Sequence, residues 1–188
     1  MIRHDPEAHI YTTEDGERLP SVTEILSPLR DFSRVPRDVL ARAAAWGEAV
    51  HRMVRLDLDS RLDESSLAPP LVPVLGQWRA ARAAQGWTIV DGDVVVGDLT
   101  WGYAGRYDLV CRREEGLLDL IDVKTGRPAL TDGPQLAAYA AAFPFEGHLL
   151  NLYLTPEEWV LVDRTGTRTA DYEAFLACLH LWRYRQRA

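Results

Sequence analysis

The sequence predicts an α/β sandwich in which a mixed β-sheet is covered by helices. A helical region, ending near residue 86, precedes three successive segments rich in Val, Ile, Leu and Tyr that read as strands. A helix, two more strands and a closing helix follow, an order typical of helices packed on a mixed sheet. The length of 188 residues and the apolar content of 47% fit one domain spanning residues 1–188.

The N-terminal part, residues 1–86, is predicted to form a hairpin and three helices. The hairpin covers residues 9–19, and the helices cover about 21–28, 36–58 and 71–85. Asp15-Gly16 supplies the hairpin turn. Ser21 and Glu24 fit a capping box, in which Ser21 caps the first helix and Glu24 reaches back. This part should therefore cover the sheet that follows.

The C-terminal part, residues 87–188, carries the predicted catalytic sheet. Strands are expected at 88–96, 102–112, 117–124, 148–154 and 158–162, and helices at 133–142 and 172–185. The 117–124 segment is apolar on both faces except for Asp119 and Asp122. Since only a strand covered on both sides has this pattern, we expect it to be central in the sheet.

Composition narrows the class of protein. No apolar run approaches the roughly 18 residues of a membrane span, and the polar N-terminus lacks a signal-peptide stretch, so a cytoplasmic protein is expected. The two cysteines, Cys111 and Cys178, are too few for a disulfide framework or a cysteine metal site. The net charge of −7 argues against a generally basic surface, but phosphate binding depends on where charges lie.

Lys124 is the only lysine in the chain, since every other Lys-or-Arg position is arginine. The two residues replace each other readily on a solvated surface, but not where a compact ammonium charge is required. The retained lysine therefore marks a candidate functional position. Chance survival of one surface lysine would give the same pattern.

Asp122 and Lys124 are alternate residues near the end of the predicted central strand, so their side chains project on the same side. A carboxylate there can bind a hard divalent cation. The ammonium beside it can orient an attacking water or stabilise charge in a phosphoryl transition state. A structural salt bridge at a strand end is the alternative interpretation.

Asp108 is an acid inside an otherwise apolar strand, where a carboxylate is costly unless it is paired or metal-bound. In a hairpin of strands 102–112 and 117–124, Asp108 can face Asp122. Two close carboxylates repel each other, and a divalent cation is the ordinary remedy. The alternative is an edge-strand residue pointing to water.

Two helices carry further polar pairs at four-residue spacing. Gly47 and His51 share one face of the second helix; a close approach by another element would explain the glycine, and the imidazole could ligate a metal. Gln135 and Tyr139 share one face of a later helix and could hold a phosphate and a base or sugar. An ordinary helix histidine and routine packing are the respective alternatives.

In this order, the four elements resemble the RecB-like and phage-type exonuclease branch of the PD-(D/E)XK nuclease superfamily. Its motifs are G-x-x-x-H on a helix, G-x-x-D and D-x-K on successive strands, and Q-x-x-x-Y on the next helix. The matching residues are Gly47 and His51, Gly105 and Asp108, Asp122 and Lys124, and Gln135 and Tyr139. The match spans about residues 46–139, and residues 19–26 also resemble the opening helix of phage-type members.

The resemblance implies a restriction-endonuclease-like fold and metal-dependent hydrolysis of DNA phosphodiester bonds. Mg²⁺ or Mn²⁺ would be bound by His51, Asp108, Asp122 and the carbonyl of Val123. Lys124 would position or activate the hydrolytic water. The expected activity is that of an exonuclease or end-processing nuclease in recombination, repair or phage DNA metabolism. A structure-specific or restriction-type endonuclease, a catalytically silent DNA-binding module and an unrelated α/β protein with coincidental motifs remain alternatives.

DNA is therefore the expected partner, and a helicase or recombination protein would fit as another. The residues expected to contact DNA are Gln135, Tyr139, Arg52, Arg55 and Ser21. Arg52 and Arg55 follow His51 on its helix and should line a path to the metal site, as should Arg106. Ser21 starts a helix whose free N–H groups favour an anion, so it could hold a terminal phosphate, although capping alone also explains it. The oligomeric state is not predicted.

Three features depart from the family pattern. Arg55 stands where many relatives carry an acid one turn after the motif histidine. Asp91 or Asp93 is only a loose counterpart of a glutamate found early in the strand before G-x-x-D. Two cysteines exclude the four-cysteine iron–sulfur cluster of some relatives, and the sequence contains no Walker A motif.

Overall fold

The N-terminal residues form a small antiparallel sheet. The computed structural model describes residues 2–6 and 8–187. The small sheet consists of β1 (Arg3–Asp5), β2 (Ile10–Thr12) and β3 (Arg18–Leu19), in that order. The predicted hairpin is confirmed: Tyr11 pairs with Leu19, and the Gly16 N–H closes the turn by donating to the Thr13 carbonyl at 3.1 Å. The sequence did not predict β1, because three residues show no readable alternation.

Three helices follow near their predicted positions: α1 (Val22–Ile25), α2 (Arg37–Leu58) and α3 (Leu71–Ala84). Ser21 caps α1 as expected, because its hydroxyl accepts from the Glu24 N–H at 3.0 Å. The other half of the predicted capping box is wrong, because the Glu24 carboxylate pairs with Arg18 at 3.2 Å. Gly86 follows α3 at φ +62°, a conformation that favours glycine at a helix end.

The large sheet has five strands in the order β4-β5-β6-β7-β8, which confirms the predicted mixed α/β architecture. The strands are β4 (Thr88–Asp98), β5 (Tyr103–Arg112), β6 (Leu118–Lys124), β7 (His148–Leu154) and β8 (Trp159–Asp163). All neighbours are antiparallel except β6 and β7, which are parallel and joined through helix α4 (Asp132–Ala141). As predicted, β6 is the central strand.

Helices cover both faces of the large sheet. Helices α1, α4 and α5 (Arg168–Arg185) share one core with Leu120 of β6, whereas α2 and α3 share the other core with Ile121 and Val123. Because strand residues alternate, Asp122 and Lys124 belong to the α4 side of β6, and Val123 belongs to the α2 side. No helix among the described residues is long and apolar enough to cross a membrane.

Candidate active site

Strands β5 and β6 bring two acids to neighbouring positions. The antiparallel ladder of β5 and β6 ends at the pair Leu109 and Ile121, so Asp108 and Asp122 are the next residues beyond it on the two strands. At this point the Asp108 side chain replaces a backbone acceptor, because its Oδ2 accepts from the Val123 N–H at 2.7 Å. This hydrogen bond joins the end of β6, which carries Asp122 and Lys124, to β5, which carries Asp108.

Helix α2 supplies an imidazole to Asp108. His51 Nδ1 lies 3.1 Å from Asp108 Oδ1, and both side chains retain some exposure. The Asp108 charge raises the pKa of His51, outweighing burial. Burial works against ionisation of Asp108, but the attraction of His51 and Lys124 lowers the pKa of its carboxyl. In the metal-free protein these two groups therefore stabilise each other as an ion pair.

Asp122 is 2% exposed and is surrounded by donors from three elements. Its Oδ2 accepts from Lys124 Nζ at 2.8 Å and from Asn151 Nδ2 at 2.9 Å. Gln135 Nε2 lies 3.4 Å from Oδ1. Burial raises the pKa of Asp122 to about 6, and the nearby Asp108 charge adds to this, although Lys124 opposes it. The contact with Lys124 therefore offsets only part of the effect of burial on the Asp122 carboxyl.

Helix α4 holds Lys124 from the other side. Lys124 Nζ donates to Gln135 Oε1 at 3.0 Å, and Gln135 Nε2 donates to the Tyr139 hydroxyl at 3.0 Å. Gln135 and Tyr139 are 6% and 4% exposed, so in the DNA-free protein they support Lys124 and present little surface. Their expected contact with DNA remains a prediction.

An open cleft of about 830 Å³ runs along the α2 side of the centre. His51, Asp108 and Val123 line it, together with three arginines, namely Arg52, Arg55 and Arg106. Asp93, which has φ +59°, also lines the cleft and pairs with Arg55 and with Arg106, the latter at 3.0 Å. Asp93, one of the two loose counterparts of the family glutamate, is therefore paired with arginines.

The donor set suits a hard divalent cation in its chemistry. It comprises two carboxylates and the Val123 carbonyl, which are the oxygen ligands that Mg²⁺ and Mn²⁺ prefer, together with one imidazole, a ligand more typical of transition metals. Burial is the main cause of the raised pKa of Asp122, and a bound cation would favour the ionised form of this carboxyl. Within residues 2–6 and 8–187, however, no three His, Cys, Asp or Glu side chains are clustered as a formed metal site. Convergence of His51, Asp108 and Asp122 on one cation remains a prediction.

Comparison with known proteins identifies the family of the chain. The sequence model of the PD-(D/E)XK nuclease superfamily matches residues 24–148, well over half of the chain. The chain belongs to the PD-(D/E)XK nuclease superfamily. A solved structure titled "Crystal structure of SSO0001" is 19% identical and matches 68% of this chain and 71% of its own, with a TM-score of 0.36. Such a loose superposition adds nothing to the assignment. No curated protein matches the chain.

The matched range includes the positions of all eight residues of the four sequence motifs, but Ser21 lies just outside it. The Ser21 hydroxyl is occupied by the Glu24 N–H and lies 3.1 Å from the Thr23 hydroxyl. Its observed role is therefore helix capping. The phosphate-binding role remains a prediction.

Sequence reasoning missed Asn151 of β7. Its side chain is fully buried and bonds directly to Asp122 of the PD-(D/E)XK centre. The available signal was a lone amide within the apolar run 149–154, since a buried polar group requires a partner. The chain itself did not indicate which partner, because that depends on the strand order.

The two motif glycines differ in what surrounds them. A Cβ at Gly47 would lie 3.7 Å from Thr125 Oγ1, an ordinary contact, so the prediction of a close approach there is wrong. A Cβ at Gly105 would lie 2.5 Å from Tyr139 Cε1 and 3.2 Å from Val22 Cγ2. Gly105 is therefore the position where the PD-(D/E)XK centre requires the absence of a side chain.

Matched alanine substitutions should separate these two glycines. We expect Gly47→Ala to leave stability unchanged or raise it by up to about 1 kcal/mol, because alanine favours helix. We expect Gly105→Ala to lower stability by about 1–3 kcal/mol, because Tyr139 must move. Urea unfolding of both variants measures the difference. A larger loss for Gly47→Ala than for Gly105→Ala would contradict the packing described.

Proposed function

We propose that this protein is a divalent-metal-dependent deoxyribonuclease that hydrolyses phosphodiester bonds, acting as an exonuclease or end-processing nuclease. The observation that carries the proposal is the pairing of Lys124 with Asp122 directly beside the His51–Asp108 pair at an open cleft. Recombination, repair or phage DNA metabolism is the context that such an activity serves. A helicase or recombination protein is the partner class it implies.

The proposed cation would be held by His51, Asp108, Asp122 and the Val123 carbonyl. When bound, Mg²⁺ or Mn²⁺ would supply Lewis-acid stabilisation of charge on a phosphate oxygen. The two carboxylates would hold the cation by their charge, and His51 would have to lose its proton to solvent before a ring nitrogen could bind the cation. The cleft would admit a phosphodiester from the α2 side, which is lined by His51, Asp108 and Val123.

Lys124 acts in this proposal as a charged donor. Burial disfavours its ammonium, but attraction to Asp122 and Asp108 raises the pKa of Lys124 above its ordinary value. At neutral pH the group therefore keeps its proton and can orient the attacking water or bind the developing negative charge. The contact with Gln135 restricts its position, which favours orientation over free movement.

The proposal is tested with end-labelled linear, circular and single-stranded DNA in Mg²⁺, Mn²⁺ or EDTA. We expect cleavage of linear DNA that requires metal and disappears in Lys124→Ala protein purified in parallel, which excludes a contaminating nuclease. Cleavage of circular DNA would instead support the endonuclease alternative. DNA binding without cleavage under any metal condition would support the catalytically silent module and contradict the proposed activity.

The arginines of the cleft should carry the electrostatic part of DNA binding. Arg52 has no ion-pair partner in the described part of the chain, whereas Arg55 must leave Asp93 before it can meet a phosphate. We expect charge reversal at Arg52 or at Arg55 to weaken DNA binding and to reduce the slope of log K against log salt by about one. Fluorescence titration over a range of salt concentrations measures the slope.

Charge reversal at Arg187, on the terminal turn and away from the cleft, is the matched control. This control changes the net charge by the same amount. It therefore separates the loss of a local DNA contact from the effect of net charge on DNA binding. An unchanged salt slope in both cleft variants would remove these arginines from the DNA path.

A further inference from the structure

A buried chain of hydrogen bonds leads from Asp122 away from the cleft. Strand β7 lies parallel to β6, and Asn151 is in register with Asp122. Asn151 Nδ2 donates to Asp122 Oδ2 at 2.9 Å, and Arg164 Nε donates to Asn151 Oδ1 at 3.2 Å. Asn151 is fully buried, and Arg164 is half-buried at the end of β8. No motif residue of the nuclease centre belongs to β7 or β8.

The two ends of this chain fix the orientation of the Asn151 amide. A guanidinium has only donors, and an ionised carboxylate has only acceptors. If the amide were rotated by half a turn, its NH₂ group would face Arg164 and its oxygen would face Asp122. Both hydrogen bonds would then be lost in a buried place, where unsatisfied polar groups are costly. Arg164 therefore holds the Asn151 NH₂ group toward Asp122.

Asn151 in turn determines which oxygen of Asp122 is available. Oδ2 accepts from Asn151 Nδ2 at 2.9 Å and from Lys124 Nζ at 2.8 Å. Among the described residues, Oδ1 is contacted by Gln135 Nε2 at 3.4 Å, which is long for a hydrogen bond. The carboxylate is thus held through Oδ2, and Oδ1 is left as the weakly bonded oxygen.

We propose that Asn151 and Arg164 are positioning residues that orient Asp122 so that Oδ1 is free to bind a divalent cation. This proposal rests on the proposed function. A carboxylate that must give up its rotational freedom binds a cation less tightly than one already oriented. Loss of such outer partners typically lowers metal affinity by about 10–100-fold.

Calorimetric titration of the full chain with Mn²⁺ tests the proposal. Asn151→Leu removes the amide at similar volume, and Arg164→Met removes the guanidinium but keeps an apolar stem. We expect Asn151→Leu to weaken Mn²⁺ binding by about 10–100-fold and Arg164→Met to weaken it less. The Mn²⁺ concentration that gives half-maximal cleavage should rise by the same factor as the loss of Mn²⁺ affinity.

The double variant tests whether Arg164 acts through Asn151. If it does, Asn151→Leu with Arg164→Met binds Mn²⁺ as Asn151→Leu does, because the guanidinium has no amide left to orient. If the losses of Mn²⁺ affinity in the two single variants add in the double variant, Arg164 does not act through Asn151, and this part of the proposal is overturned. If Asn151→Leu does not fold, Arg164→Met decides alone, and unchanged Mn²⁺ affinity in that variant overturns the proposal.

Tyr103→Phe is the matched control for general destabilisation. It removes the buried hydrogen bond from the Tyr103 hydroxyl to the Ala138 carbonyl at 3.0 Å and the hydrogen bond of the same hydroxyl with Tyr172, without touching Asp122. It should lower thermal stability and leave Mn²⁺ affinity unchanged. If the wild-type chain binds no Mn²⁺ and cleaves no DNA, the proposed function fails. If the wild-type chain binds Mn²⁺ and cleaves DNA, and Asn151→Leu binds Mn²⁺ equally well, only the positioning role of Asn151 and Arg164 fails.

Discussion

Replacing Lys124 with alanine is expected to lower cleavage at saturating DNA and metal by at least about 10²–10³-fold, the effect of removing a donor that stabilises transition-state charge. The chain should remain folded, because Lys124 ends β6 and its side chain is 20% exposed. DNA affinity should change little, because the ammonium acts mainly in the transition state. Single-turnover cleavage and equilibrium DNA binding measure the two effects separately.

Arg127→Ala is the matched control for Lys124→Ala. It removes one positive charge three residues further along the chain, from an exposed position that follows β6. It should retain cleavage at saturating DNA. Wild-type turnover in the Lys124→Ala protein would contradict the role given to the lysine, whatever its DNA affinity.

Asp122→Asn is expected to abolish both metal binding and cleavage. The amide keeps the size of the side chain but removes the negative charge that a divalent cation requires. It also leaves Lys124 without its closest counter-charge, so the pKa of Lys124 should fall below its wild-type value. Mn²⁺ calorimetry separates this variant from Lys124→Ala, which should still bind metal.

Asp15→Asn, in the exposed hairpin turn, is the control for the same change of charge remote from the centre. It should bind Mn²⁺ like the wild-type chain. Wild-type Mn²⁺ affinity in Asp122→Asn would show that Asp122 is not a ligand. Cleavage that survived in Asp122→Asn would contradict the proposed centre altogether.

The order of elements was predictable because its signals are local. Ser21 marks the start of α1, Pro36 the start of α2 and Gly86 the end of α3, and each lies within one or two residues of the observed boundary. The apolar character of 117–124 predicted a central strand, because apolar residues at successive positions indicate a strand that is buried on both faces. Strand β1 and the Glu24–Arg18 pair were not predicted, because each depends on a partner outside its own segment.

The candidate site was predictable only where its residues lie on consecutive antiparallel strands. Asp108 could be placed near Asp122 because β5 and β6 are consecutive antiparallel strands whose ladder ends one residue before the two acids. Asn151 could not be placed, because its position beside Asp122 depends on a parallel crossover. The pairing of Asp93 with Arg55 likewise joins β4 to α2, and nothing local to either segment indicates it.

The parallel pairing of β6 with β7 also bears on when the centre can assemble during folding. Asp122 and Asn151 are 29 residues apart, and His51 and Asp108 are 57 apart, so the contacts are non-local. Such contacts form late, after the loop-closure entropy between them has been overcome. A growing chain that has not yet docked β7 therefore has Asp108 and Asp122 near each other, but has no oriented carboxylate. If Asp122 binds a cation as proposed, we therefore expect this binding only when folding is nearly complete.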